Sequence, residues 1–218
     1  MTNNNDETAS KSVELRLPHC GELEVKDSKI DGWFHPISMT QWRQIVGFHK
    51  YASVTYNSET VSYHRWNPLI SKYDTIIPHQ VTAKAGLSVK TDWTDPKNVE
   101  LLDQYGKTWG VDFFPACTIH THVAAGAFES GTDAGDEEDL PGWHITLGHL
   151  TKHHVNMDIH ARFRLPKLKR VGKLTSLKKC YVVPIKNLFN KNVRAEEITQ
   201  TPWDDTHFHH NLENVSLR

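Results

Sequence analysis

His120-Thr121-His122, then seven residues, then Ser130-Gly131-Thr132-Asp133: this stretch and its flanks decide both fold and chemistry. Phe113 to His122 reads as a buried strand that delivers two histidines at its C-terminal end. Histidines at i and i+2 on a strand point to one face, because strand side chains alternate. Val123 to Glu129 is a small-residue loop, and Thr132 or Asp133 is expected to cap a short acidic helix running to Leu140, since acids in a first turn suit the helix dipole. Neutral imidazoles suit zinc, and a carboxylate supplies a hard third ligand. Three protein ligands leave a fourth position for water, the pattern of a catalytic rather than a structural zinc site.

Working outward, strands and helices alternate. Val13 to Val25 alternates apolar and charged residues, as a strand or hairpin does. Ser38-Met39-Thr40-Gln41 opens a helix expected from about Thr40 to Ser53, with Trp42, Ile45, Val46 and His49 at helical spacing. Val61 to Arg65 and Asp74 to Ile77 read as two strands joined by a turn containing Pro68, and Val81 to Lys90 continues in the same style. Thr94-Asp95-Pro96 starts a second helix, with Val99, Leu102 and Tyr105 facing inward and Gly106 closing it. Trp143 to Leu147, Asn156 to Leu165 and Cys180 to Ile185 are further strands. The alternation makes an α/β or α+β domain.

Composition bounds the rest. The chain has 218 residues, 38% hydrophobic, with seven Trp and eight Phe, so it can build a substantial core. Mean hydropathy is −0.56. The formal net charge of −1 points to neither nucleic acid nor membrane. Met1 to Lys11 is polar without an apolar signal segment, and no apolar run approaches a membrane span, so a cytoplasmic protein is expected. Cys20, Cys117 and Cys180 are odd in number and widely spaced, which fits free thiols. Glu129 to Asp139 holds six acids, whereas Ile159 to Ala195 holds eleven Lys or Arg and no acid. The basic segment reads as a solvated surface or as a docking surface for an acidic partner.

The motif His-x-His-x7-Ser-x-x-Asp resembles the signature of the JAMM (MPN-type) zinc metalloproteases, an upstream Glu followed by His-Ser/Thr-His, seven residues, Ser, two residues and Asp. Gly126 to Asp133 and the downstream Pro141-Gly142-Trp143-His144-Ile145-Thr146 look like bacterial and phage members of that family. Ile76-Ile77-Pro78-His79-Gln80 resembles the segment that precedes the motif there. The resemblance implies an MPN-type (cytidine deaminase-like) mixed β-sheet flanked by helices, with N- and C-terminal additions. It implies a catalytic domain 37–165; outside it the sequence reads as a disordered segment 1–12, an N-terminal extension 13–36, and a C-terminal extension 166–218 with a basic segment and a polar tail.

By the same resemblance His120, His122 and Asp133 bind Zn2+, Ser130 donates a hydrogen bond to the oxyanion, and a Glu moves protons. Glu59 is the candidate, nineteen residues before Pro78, with Glu22 and Glu24 as alternatives. Here Glu59 is followed by Thr60-Val61-Ser62-Tyr63-His64 rather than the family's Gly-containing apolar strand. The implied reaction is hydrolysis of a peptide or isopeptide bond, at the C-terminus of a ubiquitin-like protein, whose tail pairs with an edge strand; Val81 to Val89 is the edge expected. The alternative is a non-catalytic MPN-type scaffold.

Plainer readings stand beside these. Ser130 can be a helix cap and Asp133 a first-turn acid. His153, His154 and His160 could form a second metal site, and His207-Phe208-His209-His210 reads as a polar tail. Gly106-Lys107-Thr108 is not a P-loop, because Leu101 stands where the first Gly is needed. No His-Glu-x-x-His occurs, which excludes zincins, and the absence of Cys-x-x-Cys speaks against a zinc deaminase, the third reading.

Overall fold

The computed structural model describes residues 22–25, 28–31, 35–83, 88–107, 115–138, 140–151, 156–164, 180–183, 188–189, 193, 195–200 and 207–217. The expected disordered segment 1–12, residues 13–21 of the first hairpin, Phe113, His153, His154 and most of the basic stretch lie outside them.

Strands β1 (Glu22–Val25) and β2 (Ser28–Asp31) form an antiparallel hairpin. Helix α1 (Met39–Tyr56) starts where Ser38 accepts a hydrogen bond from the Gln41 N–H at 3.2 Å and stops where Asn57 turns left-handed, φ 50°. Its buried face, Trp42, Ile45, Val46, His49, Ala52 and Ser53, is the helical stripe read from the sequence. Then follow β3 (Val61–Asn67), β4 (Lys72–Ile76), β5 (Gln80–Thr82), β6 (Val89–Thr91), α2 (Pro96–Asp103), β7 (Cys117–Thr121), α3 (Gly131–Asp136), β8 (Gly142–Gly148), β9 (Asp158–Arg164), β10 (Cys180–Val183), α4 (Ala195–Thr199) and β11 (Val215–Leu217).

The main sheet has six strands in the order β10-β9-β8-β7-β3-β4. Only β7 and β8 run parallel in it; the other neighbours are antiparallel. Parallel neighbours need a crossover of a dozen or more residues, normally with a helix. Residues 122–141 are that crossover, and they carry α3 with Ser130 and Asp133. A smaller sheet, β11-β5-β6, lies beside it. The protein is thus mixed α/β, a mixed sheet flanked by helices.

Period-two alternation divides the main sheet into two chemistries. Cys117, Ile119, Trp143, Ile145, Leu147, Ala161 and Phe163 face α1 and join Trp42, Ile45 and Val46 in one buried cluster. The intervening residues Thr118, His120, His144, Thr146 and Arg162 form a polar face that is also buried. A Cβ added at Gly142, φ +129°, would stand 2.7 Å from the Ala116 oxygen, so the start of β8 is closed to any side chain.

Several expectations need correction. Asp95 caps α2, but of its three expected inward residues only Leu102 is buried; Val99 and Tyr105 are each 45% exposed. The helix is short; it buries Asn98 and Leu102 and packs Leu101 partly against the same cluster. Ser130, not Thr132 or Asp133, caps α3, which ends at Asp136 rather than Leu140. The expected edge Val81 to Val89 falls on two strands, and β5 is paired on both sides; among the described residues the outer strands of this sheet are β6 and β11. The expected polar tail is integrated: β11 pairs in parallel with β5, and Leu212 and Val215 pack with Phe48. Leu188, Phe189 and Ile198 likewise belong to the main core. Among the described residues no helix is long and apolar enough to cross a membrane.

Candidate metal centre

His120 and His122 sit at and just beyond the C-terminal end of β7, where the chain leaves the sheet at Val123, φ 43°. The crossover returns through the N-terminus of α3 and sets Asp133 against both rings. His120 Nε2 lies 3.3 Å from Asp133 Oδ1, and His122 Nε2 lies 3.3 Å from Oδ2. One ligand atom from each of the three residues falls within 4.8 Å of the others. Two atoms sharing a tetrahedral zinc at bonds of about 2.0–2.2 Å stand roughly 3.3–3.6 Å apart. The donor set and its spacing therefore fit zinc: two imidazoles and one carboxylate, converging through the nitrogens and oxygens that would ligate. The buried Nδ1 of His122 makes no regular hydrogen bond among the described residues, although the Gly126 backbone approaches the ring.

A capping box fixes Asp133. The Ser130 N–H donates to Asp133 Oδ2 at 2.8 Å, while the Asp133 N–H donates to Ser130 Oγ at 3.2 Å. Ser130 thus serves as a cap, and because its oxygen accepts there, its hydroxyl hydrogen stays available. Burial opposes ionisation of Asp133, but hydrogen bonds from the two histidines and the Ser130 N–H outweigh it and hold the carboxyl well below the usual range. For His122 burial acts downward, and the Asp133 and Glu59 carboxylates more than reverse it.

Glu59 lies on the link between α1 and β3 and lines the same cleft as His120, His122, Ser130 and Asp133. It continues the cleft-facing row of Val61 and Tyr63, whereas Thr60, Ser62 and His64 face α1. Burial raises its carboxyl to about 7, with His122 pulling down and Asp133 pushing up. A carboxyl poised near neutrality beside three metal-capable groups is suited to general base work. Glu22 and Glu24 sit on β1.

The cleft measures about 810 Å³. Beyond the histidines it is walled by Phe128, packed edge-on to His122 with ring centres 4.7 Å apart, and by Tyr63 against Trp93 at 5.0 Å. Ser88 to Thr91, with β6 an outer strand among the described residues, forms its far side.

A buried charged layer behind the site escaped the sequence reading. Arg162, fully buried, donates from Nη1 to Thr146 Oγ1 at 2.9 Å, and that hydroxyl lies 3.2 Å from His120 Nε2. Arg162 and Arg164 both hold Glu137, and Arg164 also holds Glu129. His144 joins through Thr118 Oγ1 at 2.6 Å and the Leu140 carbonyl at 2.8 Å, and burial lowers its pKa to about 4. Two cations of the basic stretch therefore point inward onto the acidic stretch, correcting the reading of a solvated or docking surface for those two. The opposed charge of the two segments was the available signal. Of the second-site residues only His160 is described, and among the described residues His120, His122 and Asp133 are the one metal-capable group. Cys117 and Cys180 are free thiols. No protein-family model matches the chain, and no curated protein matches its sequence.

Proposed function

We propose that this chain is a zinc-dependent metallopeptidase of JAMM (MPN) type that hydrolyses peptide or isopeptide bonds, with the C-terminal tail of a ubiquitin-like protein as its substrate class. One observation carries the reading: three ligand atoms converge within 4.8 Å on the wall of a cleft that also holds a carboxyl tuned to about 7. Held by His120, His122 and Asp133, zinc would supply Lewis acidity, polarising the scissile carbonyl and lowering the pKa of water.

The remaining work falls to side chains. Glu59, a carboxyl in the wall of the same cleft, accepts the proton of the attacking water and returns it to the leaving amine. Ser130 directs its free hydroxyl hydrogen at the oxygen on which negative charge develops. Thr146, held by Arg162, packs its hydroxyl against the metal side of the His120 ring, 3.2 Å from Nε2. Phe128 covers the His122 ring and limits water there. An extended tail can lie along the β6 edge, where main-chain hydrogen bonds would position the carbonyl.

The test combines metal analysis with hydrolysis. Purified protein should carry one zinc per chain and cleave a member of a panel of linear and isopeptide-linked ubiquitin-like substrates and short peptides. A chelator should abolish cleavage, and zinc should restore it. Glu59→Gln should retain the zinc and lose at least about a hundredfold in kcat. Bound zinc with no cleavage of any panel member would identify a scaffold instead, and full activity in Glu59→Gln would remove that residue from the mechanism.

A further inference from the structure

The residue between the two histidines has its own task. Thr121 points away from the metal side, and it meets Thr60 twice. The Thr60 N–H donates to Thr121 Oγ1 at 3.0 Å, and the Thr121 N–H donates to the Thr60 carbonyl at 3.1 Å. Both residues are fully buried. The Thr60 hydroxyl lies 2.8 Å from His49 Nδ1, and His49 Nε2 lies 2.8 Å from Ser62 Oγ, so the same residue is also tied to α1. On the other flank of Glu59, Ser58 Oγ donates to the Ala83 carbonyl at 2.9 Å and accepts from Thr82 Oγ1. One step further on, Gln80 brackets Val61, accepting from its N–H at 2.8 Å and donating to its carbonyl at 3.1 Å.

Glu59 therefore stands between two pinned residues on a link that has no regular secondary structure. A loop carboxylate is ordinarily a poor place from which to take a proton, because positional freedom lowers the fraction of productive geometries. Here the link is fastened to the strand that carries the ligands, at the position between them. Any shift of β7 carries Thr60, and with it Glu59, in register with His120 and His122.

We infer that Thr121 is a positioning residue: its hydroxyl clips the Glu59 link to the histidine strand and sets the distance between the proton-accepting carboxyl and the metal ligands. This rests on the reading of Glu59 as the base. A hydroxyl is needed at position 121 because the Thr60 N–H is buried and has Thr121 Oγ1 as its acceptor. Val has nearly the same shape and no acceptor, whereas Ser keeps the oxygen.

The experiment compares Thr121→Val with Thr121→Ser in the full chain. Amide hydrogen exchange should quicken about tenfold at Thr60 in Thr121→Val, with Ile145 in β8 unchanged, and should return to the parent rate in Thr121→Ser. On whichever panel substrate the parent cleaves, Thr121→Val should lower kcat about 10- to 100-fold at unchanged KM and unchanged zinc content, and Thr121→Ser should recover it. In the Glu59→Gln background Thr121→Val should add nothing, since the clip acts through that carboxyl. Losses that multiply in the double variant, or equal losses for Ser and Val, would overturn the inference. Should Thr121→Val fold poorly, Ser58→Ala tests the other flank and should show the same lack of additivity with Glu59→Gln. If the parent cleaves no substrate, the proposed function fails by itself, and unchanged exchange at Thr60 would still refute the clip.

Discussion

Arg162 grips Glu137 with two hydrogen bonds, Nε to Oε2 at 3.1 Å and Nη2 to Oε1, with side chains 0% and 7% exposed. Glu137 is the C-cap of α3, and Arg162 sits on β9, so the pair ties the far end of the helix that carries Asp133 to the sheet. Burial works against the Glu137 charge, but His144 and Arg162 overcome it and keep the carboxyl below its usual range.

Removing one member of this pair should cost more than removing both. Arg162→Met leaves a carboxylate buried with Arg164 as its main cation, and about 3–5 kcal/mol of stability should be lost. Adding Glu137→Gln should recover a substantial part of that. Urea unfolding of the parent and both variants checks it; a double variant no more stable than Arg162→Met would show that the pair is not the source of the loss. If the proposed zinc is bound, its affinity should weaken in Arg162→Met as well, because Glu137 would no longer tie the helix that carries Asp133 to the sheet.

What the sequence made legible was local. His120, His122, Ser130 and Asp133 lie within fourteen residues, and strand alternation followed by a capped turn is enough to bring them together. The stripe on α1 and the strand from Trp143 to Leu147 were equally plain. The missed features depend on pairings remote in sequence. Thr60 meets Thr121 across 61 positions, and β11 finds β5 across more than a hundred. Arg162 reads as one more surface cation until β9 is placed beside β8, where its row turns out to be the buried polar face. Glu59 came from resemblance alone, since nothing near it in sequence announces a base.

Acid should destabilise the protein through its buried imidazoles. His64 lies between Ser62 Oγ at 2.9 Å and Thr75 Oγ1 at 3.1 Å, and burial lowers its pKa from 6.5 to about 3. A histidine held neutral in the fold stabilises fully above the unfolded value and loses that contribution as pH falls from 6.5 toward 3. The loss approaches about 1.4 kcal/mol per pH unit for each such group. His49, also lowered by burial, acts in the same direction. His64→Gln, which can still bond both hydroxyls, should cost about 1 kcal/mol at pH 7 and flatten the fall between pH 6 and 4 by about one proton. Urea midpoints at pH 7, 5 and 4 measure it; parallel slopes for parent and variant would assign the acid sensitivity to other groups.

Gly148 tests how tightly the loop between His122 and Ser130 is seated. A Cβ there would stand 2.3 Å from the Ala127 nitrogen, 2.5 Å from the Gly126 carbonyl carbon and 2.7 Å from the Ala125 oxygen. All three are backbone atoms of the loop between His122 and Ser130, so no rotamer change relieves the overlap. The same loop is stitched to the end of β8 by the His122 N–H to the Leu147 carbonyl at 2.8 Å and the His149 N–H to the Ala125 carbonyl at 2.9 Å. Gly148→Ala should therefore push the loop outward, cost about 1–3 kcal/mol, and weaken zinc binding by separating His122 from Asp133. Gly131→Ala is the contrast: nothing lies within 4 Å of its added Cβ in the first turn of α3, and the helix should gain up to about 1 kcal/mol. Zinc competition with a chromophoric chelator, together with thermal unfolding, separates the two; equal zinc affinity in both variants would mean that the loop does not hold the ligands in place.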